Sequence, residues 1–310
     1  MRHTMIVKKD HGVTLIELLI VMVIAAVLVA GIYSLFITQH RSYTVQDQVA
    51  GVQQDARVAL DLMARDIRMA GFLIGSQGFN VNGAQFAVTP NNVAGGPDSI
   101  TVADATDAFM SGVNPVTVTI VSGSQVTLSA NVGSFFDTGT NSFVAFEGVN
   151  ALYQISSTGT QTLSLNPSPP TYLATAGARV FRAKSITYQV QGNTLQRSEN
   201  GGTAQPLVGD GISTIVEDLQ FAYQVSGVNY WTFDGVVDAA NGEASDTALP
   251  AGTTNANIRM IRINIIVKTG VPDPKETGFF KPACEDRGQN NSDPGNRRRV
   301  YTTVVKVRNL

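Results

Sequence analysis

The chain has 310 residues, and the roughly 240 that follow an N-terminal helical stretch leave room for one large domain or two small ones. Charged residues make up only 15% and the formal net charge is −2, so nothing predicts a nucleic-acid partner. A lone cysteine, Cys284, excludes an intrachain disulfide; with His3 and His11 near the start and only His40 beyond them, a zinc site, a Cys-His pair or a Ser-His-Asp triad has almost no material.

Arg2, Lys8 and Lys9 precede Gly12, and an apolar run starts at Val13: Val13-Thr14-Leu15-Ile16-Glu17-Leu18-Leu19-Ile20-Val21-Met22-Val23-Ile24. Glu17 is the only charge between Val13 and Ile37. Those residues as a helix reach about 37 Å, enough to cross a bilayer core of about 30 Å and too long for the apolar core of a secretory signal peptide. A carboxylate kept inside such a run is costly in hydrocarbon and marks a candidate functional residue. The basic residues ahead of the helix predict a cytoplasmic N-terminus, with everything after Ile37 exported.

The helical pattern continues past Ile37. Val45, Val49, Val52, Ala56, Leu60, Met63 and Ile67 form one apolar stripe at spacings of three or four, and no proline interrupts Val13 to Ala70. A single helix of about 87 Å is expected, with Gly71 as its stop and Gly31 and Gly51 as candidate bending points. From Phe72 onward the period falls to two. Expected strands are Ser99 to Ala103, Val116 to Val121, Gln125 to Ala130, Phe143 to Glu147, Leu152 to Ser156, Thr162 to Leu165, Arg179 to Ala183, Ser185 to Val190, Thr194 to Arg197, Val216 to Val225, Arg259 to Lys268 and Val300 to Val307. Gly192-Asn193 predicts a hairpin. Pro90-Asn91-Asn92, Asn166-Pro167-Ser168-Pro169-Pro170 and the proline-rich stretch 270–299 predict loops, the last of them mobile.

A short basic leader ending in Gly12, followed by an apolar helix with Glu17 at its fifth position, resembles the class III signal of type IV pilins. Three further segments extend the resemblance. Ala59 to Phe72 is similar to the "ALDxMxRDIRxAGF" helix end of PilW-type minor pilins, and Val216-Glu217-Asp218-Leu219-Gln220 with Tyr223 to their "VEDLQxxY" segment. Arg299 to Asn309 resembles a closing "R-x-Y-x-T-x-V-x-x-R-N" strand that is shared with J-type pseudopilins of type II secretion.

The resemblance implies an α+β, type IV pilin-like fold: a long N-terminal helix packed on antiparallel sheet, with a large β-rich insertion. It divides the chain into a prepilin leader (1–12), a transmembrane and filament-core half-helix (13–37), an amphipathic half-helix (38–71) and an exported β-rich globular domain (72–310). A prepilin peptidase would cut between Gly12 and Val13 and methylate the new N-terminus; family members mostly carry Phe where Val13 stands. Loss of residues 1–12 leaves a net charge of about −4. Glu17 would pair with an N-terminal amine between adjacent subunits. The implied function is a minor pilin needed to prime type IV pilus assembly and twitching motility, non-enzymatic, without cofactor or metal. Its partners would be the peptidase, other minor pilins, the major pilin and the inner membrane, and its final location the pilus at the cell surface.

Blander readings stand beside these. The stripe from Val45 to Ile67 is foremost a packing face, and Arg65, Asp66 and Arg68 read as a solvated charged face before a partner patch. Asp234, Asp238, Asn241 and Glu243 around Gly242 offer oxygen ligands, but not at the spacing of a twelve-residue calcium loop. Tyr230, Trp231 and Phe233 read as a small satellite core before a sugar-stacking surface. Arg297 to Arg299 read as a solubilising run before an edge strand. Asn290-Asn291-Ser292 matches a glycosylation sequon and carries little weight here. The rivals are a J-type pseudopilin, against which the large middle segment and the PilW-like helix end count, and, less favoured, a membrane-anchored adhesin or carbohydrate-binding protein.

Overall fold

The computed structural model describes residues 13–75, 78–93, 95–232, 249–273, 278–285, 287–289 and 295–309. Helix α1 is Leu15–Met69, and the chain divides into two compact units, Met1–Ala50 and Gly51–Leu310. In the first unit the large apolar side chains from Val13 to Ile37 are exposed all round the helix, a surface suited to lipid or to other apolar helices. α1 is long and apolar enough to cross a membrane. Its remainder, in the second unit, behaves differently. There Val52, Ala56, Ala59, Leu60, Met63, Ala64 and Ile67 are buried, as the stripe of three- and four-residue spacings requires. Gly71 ends the helix with φ of 83°, a left-handed conformation that only glycine adopts cheaply.

The strands follow in chain order: β1 Val88–Asn91, β2 Ser99–Ala108, β3 Met110–Ser111, β4 Asn114–Pro115, β5 Val118–Ser122, β6 Gln125–Leu128, β7 Phe143–Phe146, β8 Val149–Thr158 and β9 Thr162–Asn166. The short helix α2 is Tyr172–Ala176; then come β10 Val180–Gln191, β11 Thr194–Glu199, β12 Gln205–Val208, β13 Thr214–Val225, β14 Ile258–Thr269 and β15 Arg298–Lys306. Ten strands form one antiparallel sheet in the order β1-β2-β10-β7-β8-β9-β6-β5, with β11 and β12 joined to the far end of β10. β13-β14-β15 form a separate three-stranded sheet. The buried stripe of α1 shares one core with β1, β2, β10 to β12 and the three-stranded sheet, through residues such as Ile100, Tyr188, Phe221 and Ile263. A second core lies under β5 to β9 and α2, around Phe146, Leu128 and Leu163. The fold is therefore α+β, a long helix packed with antiparallel sheets.

Several expectations are corrected by tertiary context. Arg179 to Ala183 and Ser185 to Val190 belong to one strand, because a register shift between Arg182 and Lys184 absorbs the break in alternation. This strand places Arg182 opposite Asp107 and Lys184 opposite Asp104. Pro90 lies in β1, expected as a loop, and Pro206 in β12, which was not expected. Both strands have a partner on one side only, so the missing N–H breaks no ladder. The hairpin forms as expected: Gly192 and Asn193 both have positive φ, 60° and 65°, and Gln191 faces Thr194.

The stretch 270–299 was expected to be mobile. Among its described residues Lys281, Cys284 and Asn296 are buried, and polar side chains tie two of them to β13 and β14, Lys281 to Asp218 and Asn296 Nδ2 to the Thr269 carbonyl. Residues 274–277, 286 and 290–294, including the sequon, lie outside the described residues.

Candidate functional site

At the start of α1, Thr14 and Glu17 form a reciprocal cap. The Thr14 N–H and hydroxyl both donate to Glu17 Oε2, at 2.9 Å each, and the Glu17 N–H donates to Thr14 Oγ1 at 3.3 Å. Thr14 is thus the N-cap and Glu17 the third helical residue, a capping box that satisfies N–H groups the helix itself cannot. Thr14 is a functional residue beyond those expected from the sequence, and its signal is the spacing T-x-x-E ahead of an apolar run. Glu17 Oε1 accepts no hydrogen bond among the described residues, and no cation reaches the carboxylate there. Val13 is exposed; Gly12 lies outside the described residues.

The segments that carried the resemblance become buried electrostatic ties in the second unit. Asp66 is not part of a solvated face: its Oδ2 accepts from the Tyr188 hydroxyl at 2.6 Å and from Arg197 Nε at 3.2 Å, locking α1 to β10 and β11. The buried Tyr188 hydroxyl is held well above its usual pKa, first by burial and then by its hydrogen bond to Asp66. In Val216-Glu217-Asp218-Leu219-Gln220 a register shift leaves Glu217 without a partner on β14. Glu217 takes a two-pronged contact from Arg298, at 2.7 and 3.0 Å, and lies 3.6 Å from Lys268.

Asp218 is fully buried and accepts from Lys281, from the Leu219 N–H at 3.0 Å and from Gln220 Nε2 at 2.9 Å, with Arg287 at 3.5 Å. Arg298, expected in a solubilising run, has a side chain only 2% exposed, and Arg297 lies over the Phe279 ring, 5.0 Å from its centroid. The closing Asn309 donates to the Met69 and Ala70 carbonyls at 3.3 and 3.4 Å, capping the far end of α1.

Trp231 does not offer two open faces, since the Arg262 guanidinium sits 4.6 Å from its ring centroid and is itself gripped by Glu285 at 2.6 and 2.8 Å. The oxygen-ligand candidates Asp234, Asp238, Asn241 and Glu243, with Phe233, lie outside the described residues. Among the described residues no group of three or more His, Cys, Asp or Glu could hold a metal ion. The arrangement holds elements together and presents an apolar helix with one carboxylate.

The sequence matches the prokaryotic N-terminal methylation motif over residues 7–33 and the Type IV Pilus-assembly protein W family over residues 180–309. The second match spans β10 to β15 and so contains Tyr188, Arg197, Glu217, Asp218 and Asn309. No curated protein matches the chain. Among solved structures, a type IV-like pilin from Thermus thermophilus is similar at 11% identity, with a TM-score of 0.41, over 83% of this chain and 97% of that one. The methylation motif implies processing by a prepilin peptidase in a pilus-assembly context, and together with the apolar helix it implies membrane anchoring. That motif at one end and the Pilus-assembly protein W match at the other together support a PilW-type minor pilin.

Proposed function

We propose that this chain acts as a PilW-type minor pilin and primes type IV pilus assembly. Prepilin peptidase cuts between Gly12 and Val13 and methylates Val13, and the protein waits in the inner membrane with its globular unit in the periplasm. It then joins other minor pilins and the major pilin through its apolar helix, and so reaches the pilus. Cleavage at Gly12 leaves a Val13 amine one helical turn from Glu17. The observation that carries the reading is the Glu17 carboxylate: it lies on an otherwise apolar helix surface with Oε1 unoccupied, and no cation of the described residues answers it. An amine from a neighbouring helix supplies the missing charge in a low-dielectric contact, where leaving a carboxylate unpaired is costly.

The test combines the mature N-terminus with one substitution. Mass spectrometry of the protein isolated from its host should find a chain beginning at methylated Val13, and Gly12→Leu should retain the leader and abolish assembly. Glu17→Ala should insert in the membrane at least as well as the natural chain yet fail to support piliation. An intact Met1, or normal pilus number and twitching in Glu17→Ala, would refute the proposal. Secretion rather than piliation failing in that variant would assign the protein to a type II pseudopilus.

A further inference from the structure

Beside the last turns of α1 lies a cavity of about 380 Å³, closed by β2, β10 and the end of the chain. Four cationic side chains converge on it from three separate places: Arg65 and Arg68 from the helix, Lys184 from β10 and Arg308 from beyond β15. Two carboxylates share the cavity, and against four cations they leave an excess of positive charge even though Asp104 attracts Lys184 opposite it. Asp66 is already engaged by Arg197 and Tyr188. Asp104 is buried and turned onto the Thr106 N–H and hydroxyl; burial raises its pKa, opposed by the Thr106 hydrogen bonds and by Lys184. None of the four cations makes an ion pair with another described residue.

A cation in the last turn of a helix is favoured by the helix dipole, which accounts for Arg68 and in part for Arg65. It does not account for Lys184 on a strand or for Arg308, two residues beyond β15, reaching the same cavity. Their mutual repulsion is a cost that an anion would remove. Met69 lines the cavity beside the aliphatic stems of the arginines, a wall that suits a carboxylate on a short apolar stem better than a bare inorganic ion.

We propose that this cavity binds the carboxylate side chains of an acidic segment on a partner subunit. That the partner is a protein rests on the assembly reading above, whereas the anion specificity rests on the cavity alone. Arginine and lysine together supply forked and single donors for two adjacent carboxylates. The charges are exposed at the mouth, so binding is salt-sensitive.

The full-length chain in detergent, titrated with a fluorescently labelled tetraglutamate peptide, tests this. Saturable binding is expected at low salt, weaker at 0.3 M salt. Arg68→Gln and Lys184→Gln should each weaken it about tenfold, while Arg57→Gln, exposed on the helix away from the cavity, should leave it unchanged. Lys184→Glu should shift preference toward a tetralysine peptide. Absence of saturable binding, equal loss with Arg57→Gln, or inorganic phosphate competing as tightly as the peptide would overturn the proposal. None of these readouts depends on leader cleavage or on Glu17, so failure here and failure of the priming role are distinguishable.

Discussion

Two buried or restrained groups make single residues reportable. Cys284 is 8% exposed, and burial, with Glu285 and Asp218 nearby, pushes its thiol up to about 12. The thiolate is the nucleophile, so native protein at pH 8 should react with iodoacetamide far more slowly than denatured protein; equal rates in a quenched mass-spectrometric time course would refute the packing of residues 278–285. Asp210 is the opposite case. Its carboxylate accepts from the Thr214, Ile212 and Ser213 N–H groups at 2.9, 2.8 and 2.6 Å, which hold its pKa down to about 2. The folded value lies below the unfolded one, so this stabilisation is present above about pH 4 and is lost as pH falls toward 2. Melting temperatures of Asp210→Asn should therefore fall less steeply over that window than those of the natural chain, and parallel curves would show that the turn is not held this way.

At the scale of elements, the second half of α1 is held by packing on one side and by an electrostatic tie on another. Val52 and Met63 are buried in its stripe, while Arg57 is exposed. Val52→Asp should cost roughly 3 to 5 kcal/mol through an uncompensated buried charge, and Met63→Ala about 2 to 5 kcal/mol through lost contacts and a cavity. Arg57→Ala should cost under about 1 kcal/mol. Thermal melts that moved equally little for all three would mean that the helix is not docked on the sheets. The Asp218 network binds β13 to residues 281–287 in a comparable way. Lys281→Met should destabilise strongly by stranding Asp218, and joint replacement of both by apolar residues should recover much of the loss, because the pair's attraction is largely offset by desolvation.

Across the globular unit, the core that surrounds α1 and the core under β5 to β9 share no residue, and β10 runs through both, with Val180 in the outer core and Ile186 and Tyr188 in the helix core. The two cores should thus lose protection separately. Leu163→Ala is expected to raise amide exchange in β5, β6 and β9 while β13 to β15 stay protected. Exchange that rises everywhere to the same degree would show one cooperative core instead.

The sequence by itself determined the elements whose signal is local. An uninterrupted apolar run followed by a stripe of three- and four-residue spacings can only be one helix with two surfaces, and Gly192-Asn193 can adopt positive φ at both turn positions. The T-x-x-E box at Thr14 is equally local, because the spacing of Thr14 and Glu17 ahead of an apolar run marks a helix start without any tertiary contact. What tertiary structure decided were pairings between distant residues. Asp66 looks like any helix-surface carboxylate until β10 and β11 bring Tyr188 and Arg197 to it, 122 and 131 residues away in sequence. Arg298 looks like a solubilising charge until a bulge at Glu217 turns a carboxylate to meet it. Pro90 and Pro206 look like breakers until the sheet leaves them at positions where no N–H is needed. The cationic cavity belongs to the same class, since Arg65, Arg68, Lys184 and Arg308 are scattered through the sequence and become one site only when the helix end, two strands and the chain's last residues converge.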